Sequence, residues 1–349
     1  MKKLCSLILI FLLTAPVWSQ RPYRVGTTAA NFLEIGMGSA ASAMGDAYVS
    51  VAHDLSSMYW NTAGLAYIRR SEAQFVYQPW FIDINTSFTG VATHLTGIGT
   101  LGVGMSQISY GNMEVTSLES QEGTGEQFTA NEYAVNLSFA RKLAPWFAFG
   151  SSVKYISSRI WRSQARALAL DLGVLVTTRF FAPHGDQSHG LKIGMSISNY
   201  GTRMKYDGID LLVPIDIKQN ENGNFSDVPG QFRLQAWELP LMFRIGVSVQ
   251  PVYSDFQTLT LAVDALHPNN NSESVNVGGE YSIRIPGQAV LSVRAGAKAL
   301  FMDRSEYGPT FGVGLEWFLF GNRSVRIDYA FKDIGIIGNT HAYTVGLSF

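Results

Sequence analysis

The chain has 349 residues, 34 of them glycine and only 15% charged, with a formal net charge of −1. Its mean hydropathy of +0.08 argues against a bundle of membrane-spanning helices, and its near-neutral charge removes the electrostatic case for a nucleic-acid partner. Length alone suggests two domains, but one large barrel is an allowed exception.

The first element is not part of the fold. Met1-Lys2-Lys3 is a basic start, Leu4 to Leu13 is apolar, and Thr14 to Ser19 leads to a cleavage site. This pattern predicts a secretory signal peptide over 1–19, too short to span a bilayer as a helix. Cys5 is the only cysteine and sits near the front of the apolar run, so no lipid anchor is expected. The mature chain then has no disulfide, no thiolate metal site and no cysteine nucleophile.

Residues 20–70 form the second element. Leu33 to Leu65 is rich in Gly, Ala and Ser, and small residues let backbone approach backbone closely. It is predicted to be a small helical or irregular plug. Asp54 precedes Leu55 to Trp60 and is placed to cap a short helix through backbone N–H groups. Asp46 suits a turn or a partner arginine. Asn61 and Gly64 suit a helix exit in left-handed backbone. Tyr59 and Trp60 are read as packing residues.

From 71 to 349 the period is two. Tyr133, Val135, Leu137 and Phe139 alternate with Ala134, Asn136 and Ser138. Leu241, Phe243, Ile245, Val247 and Val249 alternate with Met242, Arg244, Gly246 and Ser248. Val325, Ile327, Tyr329 and Phe331 alternate with Arg326, Asp328, Ala330 and Lys332. The segments reach ~10 residues or more, as tilted spanning strands require, and aromatics gather near their ends as interface girdles do. The prediction is an all-β fold, an antiparallel transmembrane β-barrel of about 14 strands in a bacterial outer membrane, with the plug in its lumen. The strands are predicted to begin near Glu72, Ile84, Ile98, Asn131, Trp146, Gln164, His189, Glu238, Phe256, Glu273, Gln288, Gly308, Arg323 and Thr340. Leu95-Thr96-Gly97, Leu143-Ala144-Pro145, Ile285-Pro286-Gly287 and Phe320-Gly321-Asn322 carry turn signals and are assigned to the periplasm. The polar stretches Gly111 to Ala130 and Thr202 to Trp237 become mobile outward loops.

The inward face carries both signs of charge: Lys154, Arg244, Arg284, Arg294, Lys298 and Arg326 against Asp171, Asp264, Glu280, Glu316 and Asp328. Charges inside a barrel need water or a partner. A paired ladder tying barrel to plug is therefore expected, and mixed signs speak against a strongly ion-selective pore. His184 and His189 share the stretch PHGDQSH with Asp186, but turns carry such residues for solvation far more often than for metal. No metal site, cofactor site or enzymatic activity is expected, since no nucleophile elbow, zinc motif or phosphate loop occurs.

The stretch AMGDAYVSVAHDLSSMYWNTAGLA resembles the N-terminal signature of the PorV/PorQ family of outer-membrane proteins, relatives of the FadL-type fatty-acid channels. Met44, Gly45, Ala47, Asp54, Trp60, Asn61, Ala63, Gly64 and Leu65 match it, and Thr62 stands where the family usually has proline. The C-terminal DYAFKDIGIIGNTHAYTVGLSF resembles the family's last two strands. The resemblance implies partners beyond outer-membrane lipid, namely the type IX secretion translocon and the exported proteins it delivers for surface attachment. The alternative it leaves open is a channel for hydrophobic solutes. There the segment holding Asn61, Thr62 and Ala63 would be a gate, and the loop Gln78-Pro79-Trp80-Phe81-Ile82 an aromatic entry. Asp46, Asp54, Trp60, Asn61, Thr62 and Gly64 are accordingly the plug and gate candidates.

Overall fold

A computed structural model describes residues 24–349 other than 219, 222, 224–226, 303, 304, 321 and 322. The predicted signal peptide, Gly321 and Asn322 lie outside the described residues, as does the side chain of His184.

Alternating sequence builds seven strands before the longest loop: β1 (Glu72–Pro79), β2 (Asn85–Leu95), β3 (Gly99–Glu114), β4 (Gln127–Ala144), β5 (Phe147–Ile160), β6 (Ser163–Thr177) and β7 (Lys192–Gly201). The loop holds three short strands, β8 (Asp207–Gly208), β9 (Leu212–Ile215) and β10 (Val228–Gln231). Seven more follow: β11 (Met242–Tyr253), β12 (Gln257–Pro268), β13 (Ser274–Ile285), β14 (Ala289–Leu300), β15 (Pro309–Leu319), β16 (Arg323–Asp333) and β17 (Asn339–Ser348). Each of β1–β7 and β11–β17 pairs antiparallel with its neighbours, β7 with β11, and β1 with β17 at Glu72↔Ser348. The result is a closed fourteen-stranded barrel without a free edge. No described helix is long and apolar enough to cross a membrane.

The period of two sets the faces. Leu137 is 58% exposed and Val247 40%, whereas their neighbours Ser138 and Ser248 are 0% and 4% exposed. The outer wall is thus an apolar band suited to lipid, and the packed core lies inside, between wall and plug. β1 begins and β17 ends at the end that carries the short connections 96–98, 145–146, 254–256 and 286–288. This is the periplasmic end of such barrels.

The expected alternation of loop lengths breaks twice. Between β5 and β6 the outward connection is only Trp161 and Arg162, while 178–191 at the periplasmic end is long and folds into two 3-10 turns. Parts of the two long loops carry strand pairing. β3 and β4 extend their ladder to Glu114↔Gln127 past a bulge between Ser109 and Asn112. Within 202–237, β9 pairs with β10, and Met204 bridges to Trp237.

The plug runs down the lumen from the outward to the periplasmic end. At the top, Ala29 N–H donates to Glu238 O (2.9 Å) and Asn270 Nδ2 donates to Thr28 Oγ1 (2.8 Å). At the bottom, the Tyr67 hydroxyl meets Thr177 Oγ1 at 3.2 Å. Between them lie short helices at Ser39–Ala43 and Ser57–Trp60 and a 3-10 helix at Thr62–Tyr67. The first ends because Gly45 and Asp46 both adopt positive φ, 63° and 62°. Wall glycines let the plug backbone touch the strands. A Cβ on Gly296 would sit 2.3 Å from the Met44 carbonyl carbon, and one on Gly150 would sit 2.4 Å from that of Thr62.

Candidate functional site

Among the described residues charge is concentrated out of bulk water in the lumen, and the structure resolves the expected ladder into three groups. In the outward half, Lys298 Nζ is 2.6 Å from Asp46 Oδ2. Asp46 pairs with a lysine here, not an arginine. Asn276 locks the same turn, donating Nδ2 to Asp46 O (3.2 Å) and accepting Ala299 N–H (2.8 Å). Asp264, read as a ladder member, serves the backbone instead: its Oδ2 accepts the N–H groups of Tyr48 (2.7 Å) and Val49 (2.8 Å).

The second group crosses the periplasmic half. Arg326 reaches Asp54 at 2.6 Å and Asp328 at 3.2 Å. Arg294 in turn binds Asp328 at 2.7 Å and pairs with Glu280. This chain of charges ties the plug to three strands, so each desolvated charge keeps a counter-charge. Asp54 also accepts Ser56 N–H (3.0 Å), so it fixes the turn ahead of Ser57–Trp60, where Ser56 holds the cap position. Glu316 accepts from Ser324 Oγ, and Arg284 is exposed at the periplasmic mouth; neither reaches the plug.

The third group lies on the opposite wall. Lys154 Nζ is 2.7 Å from Asp171 Oδ2 and donates to Asn199 Oδ1 (2.9 Å). Asn199 also gives its N–H to Asp171 and its Nδ2 to Pro240 O. Arg244 lies over the rings of Tyr59 and Trp60, 5.3 and 5.6 Å from their centroids, and donates to Ser198 Oγ. Sequence reasoning missed Asn199 and Asn276. Asn276 occupies an inward position of its alternating strand, which is the only signal it carries. Asn199 has the outward phase of β7 and turns inward only because its backbone is left-handed (φ 65°) at a register shift, so alternation points away from it.

The exit turn differs from the expected left-handed helix end. Asn61 is extended (φ −161°, ψ 103°) and caps the following 3-10 helix by accepting Ala63 N–H at 3.2 Å. Its Nδ2 donates to Val49 O (2.9 Å) and Val174 O (3.0 Å), bonding plug to plug and plug to wall. Gly64 is required by space: a Cβ there would lie 2.2 Å from Ala52 O. Thr62 opens the 3-10 helix, a position that tolerates proline, and extended Asn61 has the backbone that a proline demands of the residue before it. Trp60 packs within the plug, donating Nε1 to Met37 O (2.8 Å) and meeting Tyr48 and Tyr59 edge-on, and it also meets the wall, where Arg244 of β11 lies over its ring.

The two larger cavities described in the lumen are separate, and a third, of about 20 Å³, lies between the plug and the wall at Phe88, Asn136 and Lys154. The periplasmic one, about 260 Å³, is lined by Tyr48, Lys192, Ser248, Glu280, Arg294 and Arg326 among others. The outward one, about 130 Å³, is lined by Glu34, Asp46, Trp60, Arg244, Lys298 and Tyr307 among others. They share no lining residue, and Tyr48 of the lower meets Trp60 of the upper at 6.4 Å between ring centroids. At the periplasmic end His189 stacks on Tyr253, bonds Gln250 and sits 3.8 Å from Asp186. The Ser188 N–H and side chain hold the Asp186 carboxyl below its usual range. Among the described residues no cluster of three or more metal-ligating side chains forms.

A closed barrel with an apolar outer band and a charge-stapled plug defines a bacterial outer-membrane protein. Solved structures of similar fold are a FadL homologue of Pseudomonas aeruginosa (9% identity, 90% of this chain and 98% of that one, TM-score 0.51) and two toluene transporters. These are TodX of Pseudomonas putida (10%, 89% and 96%, TM-score 0.53) and TbuX of Ralstonia pickettii (11%, 89% and 97%, TM-score 0.54). At such identities the likeness is one of fold. The family model described as Type IX secretion system protein PorV matches residues 18–226, and the chain belongs to that family. No curated protein matches it.

Proposed function

We propose that this protein is a sealed outer-membrane platform of the type IX secretion machinery, binding exported proteins or passing them to surface attachment through its outward loops. The observation that carries the reading is that the periplasmic and outward cavities share no lining residue and are parted by plug residues that hydrogen bonds and ion pairs hold to both sides of the barrel. Such a plug favours rigidity over passage. The loop holding β9 and β10 supplies the contact surface, with Ile209, Leu212, Ile215 and Phe232 all exposed. The family description, Type IX secretion system protein PorV, supports the same reading.

One observation favours the second reading, a route for hydrophobic solutes. An apolar groove of about 740 Å³ on the outer wall, with Phe243, Ile245 and Phe301 in its lining, shares Leu266 and Met302 with the outward luminal cavity. The experiment removes 212–231 in one variant and enlarges Leu266 to Trp in another, at matched barrel levels. Loss of surface-protein pull-down in the deletion, with labelled fatty-acid uptake absent or unchanged in both, supports the secretion reading. Uptake that falls in Leu266→Trp while pull-down survives the deletion refutes it.

A further inference from the structure

The two-residue connection Trp161-Arg162 places an unusual patch on the outer wall. On β6 the outward side chains run Gln164, Arg166, Leu168, Leu170, Leu172, Val174 and Val176, and on β5 Arg159, Ser157, Tyr155 and Val153 face the same way. Register sets Arg159 opposite Gln164, Ser157 opposite Arg166, and Tyr155 opposite Leu168. From Leu168 to Val176 the strand runs about 26 Å at ~3.3 Å per residue. With a tilt of ~40° that is about 20 Å of height, close to the apolar band of such barrels. Arg166 is the next outward position above Leu168, roughly 5 Å higher. Both arginines therefore stand at the headgroup level of the outer leaflet. At the outward ends of β1, β16 and β17 the outward side chains are Tyr77, Phe331 and His341 instead.

Both guanidinium groups are held in place without being neutralised. Arg159 Nε donates to Trp161 O (3.0 Å) and Arg166 Nη2 to Gln164 Oε1 (3.1 Å). Among the described residues neither forms an ion pair with a carboxylate. The nearby acids are otherwise engaged. Glu126 lies 3.5 Å from Arg162, Asp207 accepts from Gln231 Nε2, and Asp210 accepts from Arg162 N–H and Ser163 Oγ. Arg162 lies over the Trp161 ring at 4.4 Å, and Phe128 packs against that ring at 5.8 Å, giving the patch an aromatic interface anchor.

We propose that Arg159 and Arg166 bind the phosphate of an outer-leaflet lipid headgroup, with the acyl chains lying on Tyr155, Leu168, Val153 and Leu170. Charge complementarity and continuity with the lipid-facing band select this occupant: the forked guanidinium donors match phosphate oxygens, and the apolar wall directly below takes the chains. The assignment does not depend on what the loops bind, and lipid retention is read separately from client pull-down.

The test measures retention of monophosphorylated lipid A by the whole purified barrel after transfer from phosphatidylcholine vesicles containing it. Retention is expected to fall about fivefold per arginine removed in Arg159→Gln and Arg166→Gln. The Arg159→Lys/Arg166→Lys pair, which keeps charge but loses the fork, should retain an intermediate amount. Arg323→Gln, at the periplasmic end of β16, should retain as much as wild type. Equal retention by wild type and the double glutamine variant overturns the proposal, as does equal retention of the dephosphorylated lipid. Displacement by inorganic phosphate at concentrations equal to the lipid would assign the patch to a free anion and overturn the lipid.

Discussion

Arginine placed at adjacent positions of one strand reports which face meets lipid and which part of the lumen is filled. Val247 is 40% exposed at the middle of β11 and faces the apolar band. Val247→Arg should cost about 2–4 kcal/mol there. Ser248, its neighbour, is 4% exposed but borders the periplasmic cavity of about 260 Å³, where Glu280 also lies. Ser248→Arg gains room, but it stands directly across the ladder from Lys192 while Glu280 is already held by Arg294, so it should cost about 1 kcal/mol, still below the lipid-facing penalty. Ser138 faces inward too, but the plug fills its part of the lumen. Its Oγ donates to Ser152 Oγ at 2.9 Å, and across the ladder Met58 of the plug lies 3.1 Å from the place of a Cβ on Gly102. Ser138→Arg should therefore cost about 2–4 kcal/mol through overpacking and a lost hydrogen bond, as much as the lipid-facing Leu137→Arg. Urea titrations of refolding into phosphatidylcholine vesicles, at fixed lipid ratio, give the four differences. A Ser248→Arg penalty equal to that of Val247→Arg would refute the face assignment, and a negligible Ser138→Arg penalty would refute the filled lumen.

Two further outcomes follow from the plug. Lys298→Met leaves Asp46, whose side chain is 3% exposed, without its ion-pair partner. Stability should fall by about 3 kcal/mol or more, and Asp46→Asn added to it should recover most of the loss; single and double variants of equal stability would show that the pair does not hold the plug. Asn61→Ala removes three hydrogen bonds at the exit turn and should speed hydrogen exchange across 49–67 by at least about tenfold, roughly 1.4 kcal/mol. Thr62→Pro should leave that exchange within about twofold, since the backbone already suits proline; faster exchange in the proline variant than in Asn61→Ala would reverse the roles assigned to the two residues.

The barrel was legible because a period of two writes burial directly into the chain. Predicted starts at Glu72 and Arg323 coincide with the strands, and most others fall within a residue or two. The larger errors have local causes. β4 begins at Gln127 rather than near Asn131, because its ladder with β3 continues to Glu114↔Gln127 past a bulge whose extra residue lies on β3, in a polar stretch that was read as loop. β11 begins at Met242 rather than near Glu238, because Trp237 is engaged by Met204 and Pro240 follows before the ladder starts. Alternation also says nothing about loop length, so the two-residue outward connection at Trp161 and Arg162 stayed hidden.

Pairing inside the lumen was not legible for a different reason. Sequence sets which charges face inward, but closing the barrel brings together residues whose separation along the chain carries no information. Arg294 meets Glu280 directly across the β13–β14 ladder, yet its second partner, Asp328, lies two strands away on β16. That contact exists because Gly314 on the intervening β15 has no side chain: a Cβ there would lie 2.2 Å from Asp328 Oδ1 and 2.7 Å from Arg294 Nη1. The glycines of the inner wall thus work in two ways. Some admit plug backbone, as Gly150 and Gly296 do, and Gly314 admits a neighbouring ion pair. Inward glycine opposite or between inward charges is therefore the part of the pattern that marks where the wall was cleared for a contact. The same logic separates Asp54 from Asp264, both acidic and both buried. Asp54 sits on the plug facing an arginine. Asp264 sits on the wall opposite Gly246, which leaves its carboxylate free to reach the plug's own N–H groups.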